Sequence, residues 1–372
     1  MNTTTDTLIA GIRKWVEMES PSQRPDTISA LAELVAADAR AQGLQTSLLK
    51  AGEHESPALR ISNRRDGDTR KGIVVIGHLD TVHPVGTLQK NPFRIEEGRI
   101  YGPGIYDMKA GNYLAMSALA HEPDTALPVD ILLTPDEEIS SPHSRGLIEA
   151  FCKEHAACVL VAEPARPNGG NMVSERKGIG RIRLSTHGRQ SHAGLQHALG
   201  RSAIREMAHQ VLALESLTDY ERGITVSVGT IHGGTTPNVV PGLCEAEADF
   251  RVPDMQALQT LQQHINALQP KDQDVELKVE LTLRRPPMNK TPKSQALLDT
   301  LLQLSAQAGL SIGEAPMTGG ASDANFTAAL GIPSIDGLGA DGDGAHTLHE
   351  HILQDTLLAR HQFWRLILRT LS

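Results

Sequence analysis

Apolar residues return at three- and four-residue spacing over about Thr7 to Glu19 and again over about Asp26 to Gln42, where Ile28, Leu31, Leu34 and Val35 recur on one face. That period predicts two amphipathic helices that pack on a core. Three short, uninterrupted apolar runs follow at Gly72 to Gly77, Val129 to Leu133 and Val159 to Ala162. Runs of this length suit strands buried on both faces, and a helix-compatible stretch from Met108 to His121 lies between the first two. Alternating strands and helices predict an α/β sheet.

The pattern then changes to alternation, at Gly180 to Thr186, Ile224 to Ile231, Leu243 to Val252 and Val275 to Leu283. Helical stretches at about Ala198 to Leu217 and Met255 to Leu268 separate the first strand from the second and the third from the fourth, which is the β-α-β-β-α-β order of a ferredoxin-like domain. After Arg285-Pro286-Pro287, helix and strand patterns resume at Ser294 to Ala308, Asp323 to Leu330, Pro333 to Ile335 and from about Asp355 to Leu371. The expected architecture is an α/β catalytic domain with a mixed, largely parallel sheet flanked by helices, built from residues 1–176 and 288–372. A smaller α+β domain, 177–287, is inserted in it and offers an association surface.

Composition agrees with two domains: 372 residues with 40% apolar content exceed one ordinary core, so a binding cleft between domains is expected. A formal charge of −9 without a basic run argues against nucleic acid or anionic membrane as partners and turns attention to small molecules. No run of about 18 apolar residues occurs, and Met1 to Asp6 is polar, so a soluble, cytoplasmic protein is expected. Three cysteines without CxxC spacing suggest buried thiols, with neither a disulfide framework nor a thiolate zinc site.

Chemistry gathers where apolar runs end. His78 and Asp80 follow Ile73 to Ile76, and open α/β sheets place ligand sites at such strand ends. An imidazole ligates best when its other ring proton has an acceptor, and a carboxylate two residues on could be that acceptor. The Gly102-Pro103-Gly104 turn delivers Asp107 toward the first turn of a helix, where it could bind metal or simply cap. Glu137 and Glu138 follow Val129 to Leu133 and would point in different directions if extended. Glu163 follows Val159 to Ala162, where an unpaired buried carboxylate would be costly. Gly342 to Ile352 adds His346, His349 and His351 as competing imidazoles. HExxH and Gly-x-Ser-x-Gly are absent, which excludes a helix-borne zinc protease motif and a nucleophile elbow, and Lys177 to Arg181 is too short a glycine pattern for a nucleotide. Two histidines and three carboxylates carry −3, which with one hydroxide balances the +4 of two zinc ions.

These segments, namely Gly77 to Val82, Gly102 to Lys109, Asp136 to Glu138, Ala162 to Pro164, Gly188 to Gly194 and Gly342 to Glu350, together resemble the two-zinc amidohydrolases. That family includes glutamate carboxypeptidase, acetylornithine deacetylase, succinyl-diaminopimelate desuccinylase and aminoacylase, and the resemblance covers nearly the whole chain. It implies Asp107 as bridging ligand, His78 and Glu163 on one zinc, and Glu138 and His346 on the other. His346 is preferred to His349 by its spacing from Glu350. The resemblance further implies Glu137 as general base, Asp80 as the residue that orients His78, and His192 as an oxyanion donor reaching the partner subunit of a homodimer. Asn238, Arg251 and Arg285 (with Arg284 as a neighbour able to exchange roles) fall at positions resembling those that hold the carboxylates of a C-terminal glutamate, and Thr318 to Asp323, with Gly320, resembles the family's Gly-rich turn whose backbone amides would line the pocket, although Ala321 stands where the carboxypeptidase has another glycine.

The function expected is therefore hydrolysis, with two Zn2+ (or Co2+ or Mn2+), of an amide or peptide bond next to a carboxylate, in a carboxypeptidase releasing a C-terminal residue. The alternatives are an N-acyl amino acid deacylase and a metal-free binding protein on the same fold.

Overall fold

The computed structural model describes residues 3–167 and 169–371. They fall into two compact units. One takes the chain up to Glu175 together with Lys290–Thr318 and the residues from Ser322 on; the other takes Arg176–Asn289 and Gly319–Ala321. In chain order the principal strands are β1 (Gln45–Leu49), β2 (Ala58–Ser62), β3 (Gly72–His78), β4 (Val129–Thr134), β5 (Ala156–Val161), β6 (Gly178–His187), β7 (Thr225–Gly233), β8 (Leu243–Val252), β9 (Glu276–Arg285) and β10 (Ser334–Ile335). The principal helices are α1 (Thr5–Val16), α2 (Pro25–Ala41), α3 (Ala110–His121), α4 (Arg145–His155), α5 (Ala203–Glu215), α6 (Met255–Asn266), α7 (Pro292–Gln307), α8 (Ala324–Ala329) and α9 (Leu357–Thr370).

The first unit is built on a mixed six-stranded sheet in the order β1-β2-β4-β3-β5-β10. Its four strands β4, β3, β5 and β10 are parallel, whereas β2 joins β4 and β1 joins β2 antiparallel. Every residue of β3 and β4 is buried, which explains their continuous apolar sequence. Alternate side chains serve different layers. Ile73, Val75, Ile131, Leu133 and Leu160 join a core with Leu8, Ile12, Leu31, Leu114, Leu301 and Trp364 from α1, α2, α3, α7 and α9. Val74, Ile76 and Val159 are equally buried on the other side, toward α4 and α8, which pack on β3, β5 and β10 and on each other. Helix α1 starts with a capping box at Thr4 and Thr7, and α2 starts with Pro25, whose missing N–H costs nothing in a first turn. A second, small antiparallel sheet orders Gly342–Asp343, His351–Leu353, Arg99–Tyr101 and Arg94–Glu96 side by side.

The second unit carries an antiparallel sheet in the order β7-β8-β6-β9 with α5 and α6, the ferredoxin-like arrangement. Ile182, Leu184, Ala246, Ala248 and Phe250 face a core shared with Met207, Leu214, Leu258 and Leu261, while the intervening Arg181, Arg183 and Glu247 pair on the opposite face. The sequence patterns supplied no element for β1, β2, α4 or the small sheet. No helix among the described residues is long and apolar enough to cross a membrane.

Candidate metal centre

Parallel neighbours end at the same edge of a sheet, and this sets the site. Strand β3 ends on His78, level with Thr134 of β4, and β5 ends at Val161, two residues before Glu163. Three residues beyond β4, a single 3-10 turn, Glu137–Ile139, carries both glutamates. The other donors come from the small sheet. Arg99–Tyr101 runs on into the loop bearing Asp107, while the loop bearing His346 connects Gly342–Asp343 to His351–Leu353. Gly104 has φ of 70° and a Cβ there would lie 2.5 Å from Thr81 Cγ2, so the loop needs glycine to pass so close to the end of β3. Helix α3 starts only at Ala110, and Asp107 and Met108 hold non-helical backbone angles. This corrects the expected helix from Met108: Asp107 sits before the helix on an irregular, cis-linked segment.

Asp107 lies between the two histidines. Its Oδ1 is 3.2 Å from His78 Nε2 and its Oδ2 is 3.3 Å from His346 Nε2. His346 Nε2 is also 3.1 Å from Glu138 Oε2, and His78 Nε2 is 3.9 Å from Glu163 Oε1. Donor atoms of His78, Asp107 and Glu138 lie within 4.8 Å of one another, as do those of His78, Glu137 and Glu163. His346 has a left-handed backbone, φ 64°, a strained state for a non-glycine residue that is most often met at functional positions. His351 is engaged elsewhere: its Nδ1 is 2.9 Å from the carbonyl of His349 and its ring lies against Tyr101.

Asp80 is buried, and its carboxylate does more than the sequence suggested. The nearest acceptor for His78 Nδ1 is the Asp80 backbone carbonyl at 2.9 Å, with Oδ1 at 3.5 Å. The carboxylate itself accepts the backbone N–H groups of Glu137 at 3.0 Å and Glu138 at 3.1 Å and the Ser22 hydroxyl at 2.7 Å. One residue thus fixes the histidine at the end of β3 through its carbonyl and the glutamate turn after β4 through its carboxylate. Glu350, a landmark in the sequence only, is fully buried and accepts N–H bonds from Gly104, Tyr106 and Asp107. Both contributions were hidden because they run from carboxylates to backbone amides far along the chain.

Electrostatically, the centre favours positive charge. Burial, with Asp107 nearby, pushes Glu138 up to about 7, although His346 opposes this. Burial and the charges of Asp107 and Glu137 hold Glu163 well above its ordinary range. Hydrogen bonds to Asp107 and Glu138 lift His346 to about 10. Burial opposes a charged His78, but hydrogen bonds to Asp107 and Asp80 outweigh it and raise its pKa. All four shifts bind protons more tightly, as expected where carboxylates outnumber cations. Glu138 Oε1 is buried with no hydrogen-bond partner, an acceptor of the kind a cation would satisfy. Imidazole and carboxylate donors at this spacing suit divalent metals such as zinc.

A family model described as peptidase family M20/M25/M40 matches residues 74–370. The chain belongs to that family. Among its relatives, carboxypeptidase G2 of Pseudomonas sp. (strain RS-16) is 28% identical over 91% of this chain and 83% of its own. A succinyl-diaminopimelate desuccinylase of Verminephrobacter eiseniae (strain EF01-2) is 31% identical over 81% of this chain and 79% of its own. Among solved structures, a dinuclear metal-binding peptidase of family M20 from Bacillus subtilis superposes with a TM-score of 0.70 over 99% of both chains at 13% identity. The family member described here is thus a metal-dependent hydrolase of the peptidase and amidohydrolase type.

The remaining candidates belong to the second unit. His192 is exposed, and its Nδ1 accepts N–H bonds from Gly194 and Leu195 at 3.1 Å each, which leaves the ring proton on Nε2, a donor facing outward. A short ladder pairs Ser191–His192 with Val239–Val240, so Asn238 follows the His192 strand closely; its carbonyl accepts from Ala193 at 2.9 Å. Arg251 is already engaged: Asp249 accepts both arms of its fork, at 2.7 and 3.0 Å, and the Gly319 carbonyl takes a third bond. Arg285 is buried, and the Gly320 carbonyl accepts from Arg176 at 2.9 Å.

Proposed function

We propose that the protein is a cytoplasmic two-zinc hydrolase that cuts an amide or peptide bond next to a carboxylate, as a carboxypeptidase releasing a C-terminal residue. The observation that carries this reading is Asp107 presenting one oxygen to each of two histidines, the disposition of a carboxylate shared by two cations. His78 and Glu163 would hold one cation and Glu138 and His346 the other, with Asp107 common to both. A pair of divalent cations there supplies Lewis acidity, which acidifies water and polarises a carbonyl.

The protein's own groups do the rest. Glu137, adjacent in sequence to Glu138 and with a donor atom within 4.8 Å of those of His78 and Glu163, takes the proton of the attacking water and returns it to the leaving nitrogen. His192, with its proton on Nε2, donates to the developing oxyanion, and this role requires a homodimer if the donation crosses subunits. Arg285 supplies a guanidinium suited to the substrate carboxylate. Arg251, whose fork Asp249 accepts, is a second guanidinium of that kind. Asn238 and Gly320 complete the substrate side of the reading.

The substrates are small peptides or N-acyl amino acids. A panel of glutamyl-terminated and other dipeptides against N-acetyl and N-succinyl amino acids, with metal content measured in parallel, tests the reading. Preferential release of a C-terminal residue supports it. The similarity to a desuccinylase favours a second reading, an N-acyl amino acid deacylase, which preferential release of the acyl group would support.

A further inference from the structure

We propose that Glu350 is a positioning residue for the metal centre: its carboxylate holds the loops of Asp107 and His346 in the one arrangement that lets both reach the same cations. The inference rests on the two-metal reading above.

Glu350 is fully buried and both of its oxygens are used. Oε1 accepts the N–H groups of Tyr106 at 2.9 Å and Asp107 at 3.0 Å; Oε2 accepts Gly104 N–H at 2.9 Å and lies 2.5 Å from His83 Nε2. Three backbone N–H groups of the irregular Gly104–Asp107 segment are therefore referred to one carboxylate. No helix or sheet ladder does this work, since Asp107 and Met108 are non-helical and α3 begins afterwards. Glu350 sits four residues beyond His346, at the foot of the same loop, and its own carbonyl accepts from Gly102. His83 comes three residues after Asp80, so the fourth contact reaches the segment that leaves β3 past His78. A single buried acid thus connects the three stretches that bear His78, Asp107 and His346. Groups one step behind the ligands typically tune metal affinity by roughly ten- to a hundredfold.

Glutamine cannot replace it. Whichever end the amide nitrogen takes, it meets a backbone N–H where an acceptor is needed. The test is zinc affinity of the whole chain, measured by competition with a chromophoric chelator, together with the visible spectrum of the cobalt-substituted protein. For Glu350→Gln the expected result is a zinc affinity about ten- to a hundredfold weaker and an altered cobalt spectrum, with the metal-stripped variant still melting cooperatively. Affinity within about threefold of wild type with an unchanged cobalt spectrum would overturn the inference, as would a loss confined to the melting of the metal-stripped chain. Should Glu350→Gln fail to fold, His83→Leu decides: weaker zinc binding that is recovered in His83→Gln, which keeps an N–H donor, supports the proposal, and unchanged binding overturns it. A wild-type chain that binds no zinc would remove the two-metal reading itself, whereas tight binding in wild type and variant alike removes only the role of Glu350.

Discussion

Replacing Asp80 with asparagine should separate holding the glutamate turn from holding the metal. In the native protein Oδ1 accepts Glu137 N–H, and Oδ2 accepts Glu138 N–H and the Ser22 hydroxyl. Asparagine has one acceptor oxygen, so one of the two backbone amides must face an NH2 group in either orientation; the Ser22 hydroxyl can rotate to accept, but an amide cannot. A hydrogen bond to a charged group contributes about 1.5–3 kcal/mol, and the abandoned N–H is partly buried. The metal-free variant should therefore be less stable by about 1.5–3 kcal/mol in urea unfolding. The bond from His78 to the Asp80 carbonyl is untouched, so zinc should still bind. Displacement of Glu137 should lower kcat by roughly ten- to a hundredfold, the same free energy expressed in the barrier. Stability within about 0.5 kcal/mol of wild type, the scatter of an ordinary surface substitution, together with unchanged kcat, would refute the reasoning.

Gly104→Ala combines a left-handed φ with a Cβ 2.5 Å from Thr81, so it should cost about 2–4 kcal/mol by urea unfolding and weaken zinc binding with it. Glu137→Gln should lower turnover by roughly a hundredfold or more while leaving the zinc-to-chain ratio of wild type, as read by elemental analysis. His192→Ala should lose roughly a hundred- to a thousandfold in kcat, and mixing it with Glu137→Gln subunits should restore activity if the donation crosses a dimer. His361, buried beside His121, has its pKa lowered by burial to about 4, against 6.5 when unfolded. Between these values only the unfolded chain takes the proton, so stability should fall as pH drops through that window, by about 3 kcal/mol at its lower end, and His361→Gln should flatten the slope in denaturation at pH 4 to 6.5.

Much of this architecture was legible because burial leaves a periodic trace. β3, β4 and β5 read as apolar runs since both faces are covered, and the four alternating strands of the second unit read clearly since one face of that sheet is polar. β1 escaped because most of Gln45–Leu49 is exposed at the sheet edge, and β2 because it carries Arg60, whose guanidinium pairs with buried Asp130. Helix α4 did carry a readable spacing in Ile148, Phe151 and Cys152, yet its short length between two strands masked it. Strand ends pointed to His78, Glu137, Glu138 and Glu163, because the edge of a parallel sheet gathers them. Asp107 depended on a glycine-rich turn whose irregular course no periodicity encodes. Glu350 and the amide contacts of Asp80 were invisible for a plainer reason: an acceptor that binds backbone N–H groups 57 and 58 residues away, as Asp80 does, or 243 to 246 away, as Glu350 does, leaves no pattern at either end.

Anomalous diffraction at the zinc edge from crystals of the zinc-loaded protein tests the metal centre most directly. Two peaks per chain are expected, one on each side of the Asp107 carboxylate, the first against His78 and Glu163 and the second against Glu138 and His346. No peak at Asp107, or peaks bound by other residues, would contradict the account.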